Sequence, residues 1–577
     1  MKYLKYIIQS PLVIVGLLLF LATSFLTYPL IVEFTSRLPG IGDVYTYAWA
    51  LWWFMYSIVY LHQIPIDTNL QFYPLHINVS QDISFVHGIL SSPVAFIWGP
   101  IAGYNFIIFF TYIVTGMGFY LFLRLFMKSN FAAFFGSFIF TFSYNRQFRA
   151  LIGQLDIAST EWIGFCLYFL AQLFIYRKYT NAYVVGAAVF LAITAYTEYR
   201  NFFYIILFAG VFICASVIVH YFFDAREERN ALFFEMVEPV IKILLLTYAL
   251  ILPIIFINTQ KIGDIQYAPT YVDFNANLLS YILVPCNLLL ASILRICYEA
   301  PGFEGKTVYL GMVPMLLTLL FIYKKRTIFD RKVFYIFTIC LTIFFVLSLG
   351  TLTPLYRMLF DNIPLFKIIR VPSRLVVLVE ICIAVFAALG LQHLFSNMKS
   401  NVLKGVLACV LLVITFTEAR LINIPHTGKK YIPDTHLSVL APPGDFSMLE
   451  IPFGFRGNVY ETLGSHDTGI SFYYQMKHHI PLIGGYMSMI DWNSWNTIKK
   501  DSLMQKLIWC QQTKICDPLT DAEKERFNTV YKIRYVTFLN RKYYHMRKYL
   551  SEEFLLIKIY EDELTTVWQN SNVSSIR

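Results

Sequence analysis

An aspartate stands where the first long apolar stretch of the chain ends and an aromatic stretch begins. It is Asp43, in the segment PGIGDVYTYAWALWW. A carboxylate at such a boundary can act as a general base and take the proton of an attacking hydroxyl group. An aspartate before an apolar helix is also a common N-cap, because its side chain accepts from the first N–H groups of the helix. The spacing supports both interpretations equally.

A second carboxylate and a histidine follow a little later. Asp82 and His87 lie in the segment FYPLHINVSQDISFVHG. Asp82 could converge with Asp43 on one site, although sequence cannot show this. A metal site would need several oxygen or imidazole ligands that converge. We interpret His87 as a hydrogen-bonded structural residue in an aromatic-rich segment.

Charged side chains also occur near the ends of two later apolar stretches. The segment SYNRQFRALIGQLDIASTEW contains Arg146, Arg149 and Asp156, and TAYTEYRNFF contains Glu198 and Arg200. Charges at such positions are costly unless they are paired or reach water, which makes them candidates for function. Because guanidinium groups bind phosphate well, we expect a phosphate-bearing partner. Arg200 could equally form a local ion pair with Glu198.

Two further motifs supply basic residues. GFEGKTVYLG contains Lys306, and KIIRVPSRLVV contains Arg370 and Arg374 on either side of Pro372. The two arginines could hold a phosphate or diphosphate, while anchoring to lipid headgroups is the competing interpretation. The sequence has no P-loop, GxSxG, HExxH or dinucleotide-binding motif. ATP-driven transport by this chain alone is therefore not expected.

The composition indicates the scaffold that must position these residues. Of 577 residues, 57% are hydrophobic and only 14% are charged, against roughly 25% charged residues in a soluble domain. We predict a mainly α, polytopic integral membrane helix bundle. Apolar runs suited to crossing a bilayer predict about eleven transmembrane helices, at residues 11–32, 102–127, 131–145, 159–176, 181–197, 202–222, 237–257, 307–323, 333–350, 373–395 and 404–420.

The charges of the short loops orient this bundle. If the N-terminus is cytoplasmic, the inner segments carry more Lys and Arg than Asp and Glu, as the positive-inside rule requires. We predict a multi-pass protein of the cytoplasmic (inner) membrane, with its N-terminus in the cytoplasm and its C-terminal domain outside. The basic surplus is then a topology signal, and no nucleic-acid partner is expected.

The chain is expected to comprise a transmembrane domain, residues 1–424, and a soluble extracytoplasmic α+β domain, residues 425–577. A large first outer loop, 33–101, contains the Trp-rich stretch AWALWWFMYSIVYLH, which we interpret as a helix lying on the membrane surface. In the tail, FSMLEIPF, IRYVTFL and FLLIKIY predict strands. Cys510 and Cys516 in WCQQTKIC could form a disulfide if the tail is extracytoplasmic, and two free thiols are an equal alternative.

The order of these motifs resembles that of a known family. The GD pair after the first span, the Trp-rich helix, FYPLH, EGKTVYLG, RVPSR before a late span, and HHIPLIGGY in the tail resemble YfhO-like bacterial membrane proteins. These belong to the GT-C class of glycosyltransferases, with RgtA/B/C/D-like and mannosyltransferase-like enzymes. The resemblance covers nearly the whole chain as an order of features, each of which is short.

The resemblance implies a function. It implies a polyprenyl-phosphate-linked sugar as donor, and transfer with inversion onto a cell-envelope glycan, lipid or polymer outside the cytoplasm. Asp43 would be the catalytic base, and Asp82 or Asp156 the second acidic position. The residues implied to bind the donor phosphate are Arg200, Lys306, Arg370 and Arg374. The first loop has no DxD pair, so a divalent metal is not indicated and no cofactor is certain.

Two alternatives remain open at the level of sequence. The first is a transporter or flippase of lipid-linked glycans, which would use internal charges such as Glu198 and Glu380 and would be expected to show repeats that the sequence lacks. The second is a non-catalytic envelope assembly protein whose tail binds a partner. In that case loss of residues 425–577 would abolish function and a change of Asp43 would not.

Overall fold

The structure is a computed structural model, and its description covers residues 10–40, 43–224, 226–262, 276–300, 307–324, 328–363, 366, 369, 371–422, 434–458, 461–465, 469–487, 490–539, 541–563 and 565–573. The helices are α1 (Pro11–Leu26), α2 (Asp43–Val59), α3 (Phe85–Trp98), α4 (Pro100–Leu123), α5 (Asn130–Thr141), α6 (Tyr144–Leu151), α7 (Leu155–Ala158), α8 (Ile163–Phe174), α9 (Asn181–Thr197), α10 (Tyr199–Phe223), α11 (Arg226–Ile262), α12 (Leu289–Leu294), α13 (Met312–Lys324), α14 (Ile328–Ser348), α15 (Pro354–Asn362), α16 (Val376–Asn397), α17 (Asn401–Ala419), α18 (Gly469–His478), α19 (Trp492–Lys500), α20 (Ser502–Thr513), α21 (Asp521–Thr529) and α22 (Tyr544–Glu553).

The strands are short and lie mostly in the tail. They are β1 (Asp67–Thr68), β2 (Ile77–Asn78), β3 (Ser447–Ile451), β4 (Gly454–Asn458), β5 (Glu461–Gly464), β6 (Gly485–Tyr486), β7 (Ile533–Phe538), β8 (Leu556–Glu561) and β9 (Thr566–Asn570). The three runs predicted as strands from sequence are β3, β7 and β8.

Within the described residues, seven helical stretches are long and apolar enough to cross a membrane. They are Pro100–Leu123, Leu155–Phe174, Tyr199–Phe223, Glu235–Ile257, Arg331–Ser348, Pro372–Asn397 and Asn401–Ala419. The predicted spans 11–32, 131–145, 181–197 and 307–323 coincide with apolar helices of 10–17 residues. The first of these stops at Leu26, shortly before Pro29, because a proline disfavours helical geometry in the residue before it and cannot continue the helix.

By its contacts the chain separates into two compact units. The first unit comprises Met1–Val32, Phe106–Ile254 and Pro269–Pro425, and the second comprises Glu33–Asn105, Ile255–Ala268 and His426–Arg577. The loop predicted at residues 33–101 thus belongs to the same compact unit as the C-terminal segment.

Helix α16 is the centre of the first unit. Its residues 376–391 are all buried, and it packs against α5, α13 and α14. Two glycines allow this close packing. A Cβ added at Gly390 would lie 2.1 Å from the carbonyl oxygen of Leu317, and one at Gly136 would lie 2.7 Å from the Cβ of Ala388. Small residues at such positions let apolar helices approach closely without a polar contact.

The second unit combines two sheets with the helices around them. The four-stranded sheet has the order β3-β7-β9-β8, with β3 parallel to β7 and the other pairs antiparallel. The three-stranded sheet has the order β5-β4-β6, in which β4 is antiparallel to β5 and parallel to β6. The tail is therefore a mixture of helices and strands.

The interpretation of the Trp-rich stretch as a surface helix is wrong. This stretch forms α2, in which 12 residues are buried, including Trp49, Trp52 and Trp53. Within the second unit α2 packs against α3 and α18. The physical reason lies in the pattern, because a surface helix needs a charged or polar face and a helix that is apolar all round is buried.

Candidate active site

Asp43 is the first residue of α2, and its carboxylate is held by a residue from the far end of the chain. The hydroxyl group of Tyr486 donates to Oδ1 of Asp43 at 2.6 Å. Both side chains are partly exposed. The start of the helix fixes where Asp43 stands, and the tyrosine fixes one of its oxygens.

Strand pairing positions Tyr486. It is the second residue of β6 and lies opposite Arg456 of β4. The backbone N–H of Tyr486 donates to Oε1 of Gln71 at 3.1 Å, and the N–H of Met487 donates to the carbonyl oxygen of Arg456 at 2.7 Å. The backbone on both sides of the tyrosine is therefore fixed.

Two motifs singled out from sequence, FYPLH and HHIPLIGGY, lie side by side here. The N–H of Phe72 donates to the carbonyl oxygen of Gly484, and that of Tyr73 to Leu482. The Phe72 ring packs so closely that a Cβ on Gly485 would lie 2.3 Å from it. A side chain at that position would push the segment away, so the glycine is what allows the ring and the backbone to meet.

The electrostatics of this site centre on the tyrosine. Burial raises the pKa of Tyr486 well above its usual range, and the negative charges of Asp43 and Asp82 add to this effect, whereas Arg456 opposes it. Tyr486 is therefore a neutral donor at physiological pH. Asp82, the second predicted carboxylate, is therefore within electrostatic range of Tyr486.

Arg456 is the basic residue of this group. Its guanidinium carbon lies 4.4 Å from the centroid of the Tyr486 ring, within the range of a cation–π contact. Arg456 was not predicted as a site residue, because it lies in FGFRGN and has no motif of its own. Its pairing with Tyr486 in β6 depends on strand register, which no local pattern revealed.

His87 has a different setting. It lies in the first turn of α3, is 2% exposed, and its backbone N–H donates to the Oγ of Ser84 at 3.3 Å. Ser84 is thus the N-cap of this helix. Among the described residues, no group of three or more His, Cys, Asp or Glu side chains is arranged to hold a metal ion.

The first unit contains a separate charged cluster. Arg200 forms ion pairs with both Asp156 and Glu198, and its Nε lies 2.7 Å from Oε1 of Glu198. Glu198 also caps α10 by accepting from the N–H of Arg200 at 3.1 Å. One guanidinium between two carboxylates leaves a net negative charge. This arrangement does not favour the donor-phosphate role expected for Arg200.

The other predicted arginines of this region are structural. Arg146 is 1% exposed, donates to the carbonyl oxygen of Ala158 at 2.9 Å and lies 4.8 Å from the centre of the Tyr112 ring. Arg149 is fully buried and donates to Gln154 at 2.7 Å. Their guanidinium groups bind groups of the protein itself, so the phosphate-binding interpretation of this pair does not fit.

Three other basic residues complete the predicted set. Arg374 lies in the 3₁₀ turn Pro372–Leu375 that precedes α16, where it is partly exposed in the first unit. Lys306 and Arg370 lie outside the described residues.

Two disulfides are present in the part of the chain that the structure describes. Cys510 is bonded to Cys516, with Cα atoms 4.4 Å apart, and Cys286 to Cys297, with Cα atoms 4.7 Å apart. Only the first pair was considered from sequence. The second was overlooked, although both cysteines lie in the long segment between the predicted spans 237–257 and 307–323.

Comparison with known proteins identifies the fold. No family model and no curated protein matches the sequence. A solved arabinofuranosyltransferase AftD from Mycobacteria is 13% identical, with a TM-score of 0.56 over 97% of this chain and 42% of its own. This chain therefore spans less than half the length of that protein.

Two further solved structures are weaker matches. The oligosaccharyltransferase AglB from Archaeoglobus fulgidus, in complex with an inhibitory peptide and a dolichol-phosphate, is 13% identical, with a TM-score of 0.49 over 99% of this chain and 75% of its own. ArnT from Cupriavidus metallidurans, bound to undecaprenyl phosphate, is 10% identical, with a TM-score of 0.47 over 98% of both chains. On the AftD match, the chain shares the fold of that arabinofuranosyltransferase.

Proposed function

We propose that the protein is an inverting GT-C glycosyltransferase of the YfhO-like group. Its donor is a polyprenyl-phosphate-linked sugar, and its acceptor is a cell-envelope glycan, lipid or polymer on the outer side of the inner membrane. The observation that carries this proposal is the Asp43 carboxylate, held by Tyr486 at the start of α2 in a chain that shares the fold of AftD.

Asp43 acts as the general base. It takes the proton of the acceptor hydroxyl group while that oxygen bonds to the anomeric carbon of the sugar. The bond from the anomeric carbon to the phosphate oxygen breaks, and its electron pair leaves with the polyprenyl phosphate. Lipid phosphate is a good leaving group, so the reaction needs a base on one side and positive charge on the other.

The test replaces Asp43 with Asn in the full chain. In nanodiscs, with a panel of undecaprenyl-phosphate-linked sugars and envelope membranes as acceptor, we expect transfer to fall by at least about 100-fold. The matched control is Asp67→Asn, which changes an exposed aspartate of the same loop. If the Asp43→Asn variant transfers sugar as fast as the unaltered protein, Asp43 does not take part in the reaction. If the unaltered protein uses no donor of the panel, the proposed donor class is wrong.

The two alternative functions predict different outcomes. A flippase would move lipid-linked sugar across the bilayer without forming a glycosidic bond, so movement without transfer would support it. An assembly protein would keep its cellular function in the Asp43→Asn variant. Within the described residues, Glu198 is paired with Arg200 and Glu380 accepts from Ser143 at 2.9 Å, and neither contact favours a transport pathway.

A further inference from the structure

The tail of the chain supplies two side chains to the group around Asp43. Tyr486 donates to the carboxylate at 2.6 Å, and Arg456 lies against the ring of the same tyrosine. Both residues come from the three-stranded sheet of the second unit, where β4 and β6 pair in register. The two side chains therefore keep their relative positions through backbone hydrogen bonds.

Tyr486 has the properties of a positioning residue. A carboxylate that acts as base must present a fixed lone pair to the acceptor hydroxyl, and a hydrogen bond to one oxygen restricts its rotation. The donor is neutral, half-buried and fixed at its own backbone by Gln71. The tyrosine can therefore orient the aspartate without supplying a charge.

Arg456 has the properties of an anion ligand. Its side chain is partly exposed, and among the described residues no acidic group forms an ion pair with it. A guanidinium group that lies over a ring can still donate two N–H groups to a phosphate in a bidentate contact. By contrast, Arg200 is already neutralised by two carboxylates.

We propose that Tyr486 and Arg456 complete the catalytic centre of Asp43, with Tyr486 as its positioning residue and Arg456 as the ligand of the lipid phosphate. This inference rests on the proposed function, because it assigns roles in the same transfer. The aspartate receives the acceptor proton, and the arginine stabilises the negative charge that develops on the departing phosphate. The tail then has a definite role, which is to bring the base and the cation together.

Tyr486 is tested by Tyr486→Phe, which removes only the hydroxyl group. We expect kcat to fall about tenfold, the value of one lost hydrogen bond, with the KM for donor little changed. The double variant with Asp43→Asn should be no slower than Asp43→Asn alone.

The matched control is Tyr531→Phe. Tyr531 also donates to an aspartate, Asp501, at 2.7 Å in the same unit. The substitution therefore removes the same kind of hydrogen bond at a position other than Asp43. Its kcat should match that of the unaltered protein. An unchanged kcat in Tyr486→Phe, or losses that add in the double variant, would overturn the positioning role.

Arg456 is tested by binding rather than by activity. We expect Arg456→Gln to weaken equilibrium binding of radiolabelled undecaprenyl phosphate by at least about tenfold, and Arg456→Lys to restore part of it. The control is Arg547→Gln, because Arg547 also lies over a tyrosine ring, that of Tyr544, at 4.8 Å. This control should bind the lipid as the unaltered protein does.

The outcomes separate the two proposals. Binding that survives Arg456→Gln overturns the assignment of Arg456 and leaves the proposed function standing. Failure of the unaltered full chain to bind undecaprenyl phosphate overturns the proposed donor class itself.

Discussion

The indole N–H of Trp49 donates to the side-chain carbonyl oxygen of Gln475 at 2.7 Å, across 426 positions of sequence. The amide group of Gln475 in turn donates to the carbonyl oxygens of Leu70 and Ile480. The buried side chain of Gln475 thus forms hydrogen bonds with α2, with the first loop and with the segment that precedes Tyr486. All of these groups lie in the second unit.

Replacing Gln475 with Leu keeps the approximate size of the side chain and removes these hydrogen bonds. Because it leaves the buried Trp49 N–H without its acceptor, we expect the free energy of unfolding to fall by about 1–3 kcal/mol. Thermal unfolding in detergent and limited proteolysis would measure this. Gln512→Leu changes an exposed glutamine bonded to Gly464 and should shift stability by less than about 0.5 kcal/mol. Equal effects of the two variants would contradict the structural role of Gln475.

A substitution at Gly390 tests how closely the helices of the first unit pack. An alanine Cβ there would meet the backbone oxygen of Leu317 at 2.1 Å, so α13 and α16 would have to move apart. We expect Gly390→Ala to destabilise the protein by about 1–3 kcal/mol, seen as a lower thermal midpoint. Gly210→Ala is the control, since an added Cβ meets nothing within 4 Å in α10, and it should be neutral or slightly stabilising. A Gly390→Ala variant as stable as the unaltered protein would contradict this close approach of the two helices.

His436 makes the second unit sensitive to acid. It is 1% exposed, and burial lowers its pKa below the ordinary value of 6.5. The titratable groups that face it are Glu450, His478, Asp562 and Asp434. The folded protein therefore binds fewer protons than the unfolded chain when the pH falls below about 6.5, so its free energy of unfolding must decrease there.

We expect His436→Phe to weaken this acid sensitivity, because the ring contact with Tyr474 at 4.6 Å can be kept while the titrating group is lost. His479, whose pKa is also lowered by burial, should retain part of the effect. The measurement is the thermal midpoint between pH 7.5 and pH 5.5. His76→Phe, at an exposed position, should leave the pH dependence unchanged. An identical pH dependence in His436→Phe would exclude His436 as its source.

Variants of Arg200 can distinguish a structural role of this residue from a role in phosphate binding. Arg200→Gln leaves Asp156 and Glu198 facing each other, and we expect a loss of about 1–3 kcal/mol of stability. Adding Asp156→Asn removes one of the two charges and should restore part of it. The exposed pair of Lys242 with Glu238 gives the control, since Lys242→Gln should cost less than about 1 kcal/mol. Lost lipid binding in Arg200→Gln, without rescue by the second change, would support the phosphate role instead.

The helices were predicted mainly from the lengths of the apolar runs. Each predicted span coincides with an apolar helix, although four of these helices are shorter than expected. The stretch that became α2 was misinterpreted because tryptophans are enriched at membrane interfaces. The absence of charge from that stretch was the better signal.

Of the groups that interact with Tyr486, only the carboxylates Asp43 and Asp82 were predicted from sequence. Tyr486 and Arg456 lie in a tail whose strand pairing depends on register, and register is decided by tertiary packing. The two carboxylates around Arg200 come from positions 44 and 2 residues away, so only the nearer one could be foreseen. Long-range pairs of this kind leave no periodic pattern in the sequence.

The distance between Trp49 and Gln475 also bears on how the protein is made. At about 5–20 residues per second, the ribosome needs about 20–85 s to synthesise the 426 positions between them. During that interval Trp49 lacks its partners Phe472 and Gln475 of α18. Aggregation of α2 must therefore be avoided until α18 has been synthesised. A truncated protein that lacks the tail would remain in that vulnerable state permanently.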